Sequence, residues 1–184
     1  CDPETDAGEK RSWGFPRPFG RVSVVSVRDN HAAAVTATGD LYTWGCDPAG
    51  QLGSTPGPSF SHGAKTPCRV QVFRDSSEWG AAAREDPLGT EASPVPGQWR
   101  GQRVVDVACS SYATAAVTVD GALFTCGRLE GPLEPPGLGE HHPEPRDQCL
   151  VEMAALRGER VAGVSAGQDH MLAHSDSGRL WRWG

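Results

Sequence analysis

The chain has 184 residues, enough for one domain with a sizeable core, and a formal net charge of −6. That charge argues against a general electrostatic pull toward nucleic acid or an anionic membrane, and the longest apolar runs fall far short of the roughly 18 residues of a membrane span. Hydrophobic residues make up 38%, and 23 Gly with 15 Pro give a turn-rich composition. The six cysteines (Cys1, Cys46, Cys68, Cys109, Cys126 and Cys149) are scattered and form no C-x-x-C pair. This reads as free thiols of an intracellular protein rather than a disulfide scaffold. No signal peptide is visible, and a chain opening on Cys1 rather than Met reads as a fragment.

Residues 1–20 are a lead-in or linker. Repeat one spans 21–75. It opens with three short strand-like runs, "VSVVSV", "AAAVT" and "LYTW", and a fourth is expected in "PCRVQVF" from Pro67 to Phe73. Residues 76–102 are polar and rich in Pro and Gly, a loop insertion that is either a plain spacer or a contact loop. Repeat two spans 103–159, with runs "VVDVAC", "TAAVT", "LFTC" and a fourth in "QCLVEM" from Gln148 to Met153. Residues 160–184 begin repeat three with "VAGVSA", "MLAHS" and "LWRW".

The windows starting at Arg21, Arg103 and Arg160 align over 25 residues without a gap. Seven columns are invariant: Arg21/Arg103/Arg160, Val22/Val104/Val161, Val25/Val107/Val164, Ala34/Ala116/Ala173, Gly39/Gly121/Gly178, Leu41/Leu123/Leu180 and Gly45/Gly127/Gly184. Such a period marks a supersecondary unit that stacks on its own copies. Thr38, Asp120 or Ser177 before the hairpin Gly is the signal of a tight turn with positive φ. Period-2 alternation places Tyr42 and Trp44 on one face of the third strand, Leu41 and Thr43 on the other. The expected fold is all-β, with four-stranded antiparallel β-propeller blades. A β-sandwich would not generate near-identical units.

At "RVSVVSV…H…TGDLYTWGCDPAGQLG" the chain resembles the repeat of the regulator of chromosome condensation family, and "VAGVSAGQDHMLAHSDSGRLWRWG" matches as well, with Gly167 and His170 on the repeat's Gly and His. Repeat two departs, with Ser110, Ala113 and Cys126 in place of Gly, His and Trp; repeat one has Arg28 for the Gly and keeps His31. The resemblance implies a seven-bladed propeller, so about three repeats form an incomplete one whose neighbours are the remaining blades of a longer chain. It implies a noncatalytic protein–protein interaction scaffold. The alternative is a guanine-nucleotide exchange factor, with a small GTPase as partner, which acts by stabilising a nucleotide-free state and needs no chemistry of its own. No position matches an exchange-specific motif. Family members also serve inside ubiquitin ligases, and a secreted inhibitor would need an upstream signal peptide. The expected compartment is cytoplasmic or nuclear.

No catalytic, cofactor-binding or metal site is assigned. His31 and His170 recur at one repeat position, which favours a structural hydrogen bond over a catalytic base. His170 and His174 mimic half of a zinc-helix motif, but the H-E-x-x-H glutamate is missing and a strand is expected there. His141, His142 and Cys149 lie in a Pro/Glu-rich stretch with nothing to fix a coordination geometry. Glu78, Glu85, Asp86 and Glu91 read as a solvated acidic loop. Trp44, Trp181 and Trp183 lack the "G-W-R-H-T" signature of the plant ultraviolet-B receptors and read as packing between blades. Neither G-x-S-x-G nor G-x-x-x-x-G-K-[ST] occurs.

Overall fold

The computed structural model describes residues 20–53, 63–70, 73–74, 98–99, 103–128 and 150–184. They form three sheets in chain order. The first contains β1 (Val22–Arg28), β2 (His31–Thr36), β3 (Leu41–Gly45) and β4 (Ala64–Arg69), all antiparallel neighbours. Two short strands, β5 (Phe73–Arg74) and β6 (Gln98–Trp99), belong to the second sheet. Its main body is β7 (Val104–Cys109), β8 (Ala113–Thr118), β9 (Leu123–Gly127) and β10 (Leu150–Glu152). The third sheet holds β11 (Val161–Ala166), β12 (Met171–Ser175) and β13 (Leu180–Trp183). A 3-10 turn, Ala154–Leu156, links the second sheet to the third.

Two strand expectations shift. The fourth strand of the first blade begins at Ala64 rather than Pro67. Gly63 explains the early start: at φ 97° its bare α-carbon lies against the Gly45 carbonyl, where a Cβ would overlap it, so the chain enters the ladder at the Gly45–Ala64 pair. Phe73, expected to end that strand, instead pairs in parallel with Leu150 of β10. Gln98–Trp99, within the stretch expected as a loop, pairs antiparallel with Phe73–Arg74, so both residues extend the outer edge of the second sheet. Glu78, Glu85, Asp86, Glu91, His141, His142, Cys149 and residues 1–19 lie outside the described residues.

The middle strand shows why small residues recur. Every residue of β8 is buried, because both faces of the second sheet are covered. Ala113, Ala115 and Val117, with Leu123, pack on Met171, Ala173, Trp181 and Trp183 of the third sheet. Ala116, with Phe124 and Cys126, packs on Ala33, Val35 and Leu41 of the first. This is period-2 alternation serving two interfaces at once. Each large apolar side chain so buried contributes about 1.5–3 kcal/mol.

The same alternation gives the blades a direction. The aromatic face of β9 and β13 meets the preceding sheet, and the leucine face of β3 and β9 meets the following one. Trp181 and Trp183 are therefore buried, whereas Tyr42 and Trp44 are only half-buried. Leu41 and Leu123 are 2% and 1% exposed, but Leu180, in the same column, is 62% exposed. Val25 is 64% exposed where Val107 is 4%.

The invariant Arg, Val and Gly columns are the joints between blades. The Val104 N–H donates to the Gly39 carbonyl at 2.9 Å, and the Val161 N–H to the Gly121 carbonyl at 3.0 Å. Gly39 and Gly121 both have φ 87° and lie beneath the arginine of the next blade. A Cβ on Gly39 would stand 2.8 Å from Arg103 Cβ, and one on Gly121 2.6 Å from Arg160 Cγ. Gly178 has φ 82° and nothing within 4 Å of the Cβ position.

Candidate interaction surface

The segment Cys46–Gly53 leaves β3 and tucks into the joint with the second blade. Gln51 is fully buried, and its carbonyl accepts from Thr114 Oγ1 at 2.7 Å and from Cys126 Sγ at 3.3 Å. The Leu52 carbonyl accepts from Thr43 Oγ1 at 2.6 Å, and the Leu52 N–H donates to Asp47 Oδ1 at 3.0 Å. The "GQLG" run is thus a plug whose Gln51 and Leu52 carbonyls are satisfied by the neighbouring strands, while the Gly50, Leu52 and Gly53 N–H groups bond within the loop.

His31 completes this joint. It is 3% exposed, and Nε2 lies 2.9 Å from Thr114 Oγ1. The Thr114 hydroxyl gives its proton to Gln51, so it accepts from His31 Nε2–H, and the imidazole is the neutral Nε2–H tautomer. Nδ1 is buried with no hydrogen-bond partner among the described residues. Burial pushes the His31 pKa down to about 4, offset in part by the Ala113 backbone and the Asp29 charge. The enclosed His31 links the first blade to the second through Thr114.

His170, in the same column, differs from the expectation. It is exposed, its ring lies across Gly167, and it makes no side-chain hydrogen bond among the described residues. The cause is positional: His31 finds its partner on the following blade, and no described blade follows the third. Gly167 leaves room for that ring, since a Cβ there would overlap His170 Cε1. His170 immediately precedes β12 and His174 lies within it, so their four-residue separation spans about 13 Å of extended chain rather than one helical turn. Among the described residues no group of three or more His, Cys, Asp or Glu side chains could hold a metal. Nor do the tryptophans gather: Trp44 lies on the outward face of the first sheet, while Trp181 and Trp183 lie between the second and third.

Asp47, in the plug, is mostly buried, and desolvation raises its pKa against the opposing Leu52 N–H hydrogen bond. A raised folded-state pKa means that ionisation costs stability at neutral pH and that the cost fades as pH falls through that pKa. Asp47→Asn keeps the Oδ1 acceptor. It is expected to raise the melting temperature at pH 7 by a few degrees and by less at pH 4, as calorimetry at both pH values would reveal.

At the same end of the sheets as the plug, the β1–β2, β7–β8 and β11–β12 turns meet one another. The Ser111 N–H donates to the Gln168 carbonyl at 2.9 Å, Ser111 Oγ donates to Asp29 Oδ2, and the Cys109 N–H donates to Ser26 Oγ at 2.9 Å. Asp29 adopts φ 38°, a strained value for a side-chain-bearing residue, at the first of these turns. Tyr112 stands out of this tied rim at 50% exposure, its carbonyl held by the Arg128 N–H at 2.8 Å. Tyr112 falls in the turn column before the repeat histidine, where Asn30 and Asp169 stand in the other copies. An aromatic in a polar column was its one sequence signal. The opposite end of the sheets presents the Gly39, Gly121 and Gly178 hairpins with mixed charge, including the Arg69–Asp40 and Arg160–Asp176 pairs.

Three consecutive sheets, packed face to face and tied by a repeated Gly–Val hydrogen bond, define a stretch of β-propeller. Models of the regulator of chromosome condensation (RCC1) repeat match residues 22–51 and 38–83. The RCC1 domain-containing protein RUG3, mitochondrial, of Arabidopsis thaliana is 28% identical over 195 residues, covering 89% of this chain and 42% of that protein. The E3 ubiquitin-protein ligase HERC2 of Homo sapiens is 31% identical over 157 residues, covering 84% of this chain and 3% of that protein. Among solved structures, yeast RCC1 (Prp20) in complex with Kap60 superposes with a TM-score of 0.58 at 19% identity, over 89% of this chain and 32% of that one. The chain is an RCC1-repeat propeller protein, and it spans less than half the length of these relatives.

Proposed function

We propose that the chain is part of a noncatalytic protein–protein interaction scaffold, presenting the tied β1–β2, β7–β8 and β11–β12 turns as one rigid contact surface. The observation that carries this reading is the hydrogen-bonded rim with Tyr112 standing out of it. Contact residues on loops fixed by a rigid framework lose little entropy on binding, and tyrosine is enriched among residues that dominate binding energy. The outward faces of the first and third sheets, carrying Val25 and Leu180, are the seats of further blades. The same columns are covered wherever a neighbour is present.

A photo-crosslinking amino acid at position 112 would identify the contacting protein, and calorimetry with that purified protein would measure affinity. Tyr112→Ala is expected to weaken binding about tenfold or more, with an unchanged melt. No change in affinity would overturn the reading. The alternative, exchange on a small GTPase, draws on the solved structure of Prp20p, whose title records binding to Gsp1p and histones. The scaffold reading expects no acceleration of labelled-GDP release from such a GTPase by this chain. Acceleration would place the exchange reading first.

A further inference from the structure

A cleft of about 290 Å³ opens between the second and third blades at the hairpin end. Leu123, Met153 and Leu156 line its base and are almost fully buried, so that its accessible wall is part apolar and part polar. Its rim carries three carboxylates, Asp120, Glu152 and Glu159, and two guanidiniums, Arg157 and Arg160. The charges are unevenly committed. Arg157 grips Glu152 Oε2 through Nε at 3.2 Å and Nη2 at 2.9 Å. Arg179 holds Glu159 from outside the cleft. Arg160 is drawn to Asp176 at 2.9 Å and to the carbonyls of Val119 and Asp120. Asp120 accepts a hydrogen bond from Thr118 Oγ1 and has no cationic partner among the described residues.

We propose that this cleft is a socket for a single arginine or lysine side chain of a protein partner, its stem on the Leu123–Met153–Leu156 floor and its cation against Asp120 and Glu152. The proposal rests on the interaction-module reading above. The volume lies at the lower edge of the roughly 300–1,000 Å³ of small-molecule sites and accommodates one long side chain. A long basic side chain has the matching amphipathic form, an apolar stem with a charged head. Electrostatics point the same way: the Glu152 carboxyl is pushed up, first by burial and then by the Asp120 charge, so the two carboxylates repel and an added cation relieves both. An anion would find both rim guanidiniums already engaged.

The test is a nuclear magnetic resonance titration of the full 184-residue chain with Nα-acetyl-arginine methylamide, and with the norleucine analogue as the uncharged control. The arginine probe is expected to shift the amides of Gly121, Met153 and Gly158 and to bind in the millimolar range, as ligands of about fifteen non-hydrogen atoms do. The norleucine probe is expected to bind at least about fivefold more weakly, and Asp120→Asn, which keeps the Thr118 hydrogen bond, to weaken the arginine probe by about fivefold. Equal binding of the two probes, or an unchanged affinity in Asp120→Asn with a native spectrum, would overturn the proposal. Should that variant lose its native spectrum, the comparison of the two probes on the unmodified chain decides. If the probe fails while Tyr112→Ala still weakens partner binding, the socket is lost and the scaffold stands.

Discussion

Gly121→Val is expected to lower the free energy of unfolding by about 2–5 kcal/mol. Two costs add. A side chain at φ 87° is strained by roughly 1–2 kcal/mol. Its Cβ would also stand 2.6 Å from Arg160 Cγ and 3.0 Å from Arg160 Cα, so the joint between the second and third blades must open, at about 1–3 kcal/mol for overpacking. Gly178→Val is the internal control. Its φ is 82°, but nothing lies within 4 Å, so only the strain is incurred. Chemical denaturation of both variants should give a clearly larger loss for Gly121. Equal losses would mean that the Arg–Gly contact carries no weight.

His31 sets the second large effect. Its folded-state pKa of about 4 lies below the roughly 6.5 of an unfolded histidine. Between those values the unfolded chain binds a proton that the folded one refuses, so stability falls as pH drops through the window. The full effect is about 3 kcal/mol, present above pH 6.5 and gone at pH 4. Asp40 titrates as well, with a lowered pKa, and Asp47 and Glu152 with raised ones, so the histidine is isolated by difference. In His31→Gln, whose amide can still donate toward Thr114, the part of the pH dependence between 6.5 and 4 should shrink by that amount. At pH 7 the truncation His31→Ala should cost about 2–3 kcal/mol, through the Thr114 bond and the cavity left at the joint. His170→Ala, at an exposed position, should stay within about 0.5 kcal/mol.

The blades were legible because their signals are local. A positive-φ glycine in a two-strand turn and period-2 alternation act within a few residues, and they place β2, β3, β8 and β9 closely. The direction of packing was not legible: alternation marks two faces of β3 but does not say that Leu41 looks toward the next blade and Tyr42 away from it. Only the neighbouring sheet decides that. The same gap separates His31 from His170, identical in sequence position but different in whether a following blade supplies a threonine. Phe73 and Gln98–Trp99 join a sheet through pairings with distant strands, and no short window encodes a parallel contact with β10. The Asp120–Glu152 cleft joins residues from a hairpin and a strand end, and Tyr112 has meaning only once the turns meet.

Whether the invariant Arg, Val and Gly columns are joints between blades is tested most directly by amide hydrogen exchange of the 184-residue chain. The N–H groups of Val104 and Val161 donate across to the carbonyls of Gly39 and Gly121, whereas Val22, in the same column, has no hairpin glycine of a preceding blade among the described residues. Val104 and Val161 should therefore be protected like the amides inside the sheets, and Val22 should exchange far faster, as an unjoined edge does. Equal exchange at all three valines would contradict the joints, and with them the rigid surface on which the proposed function depends.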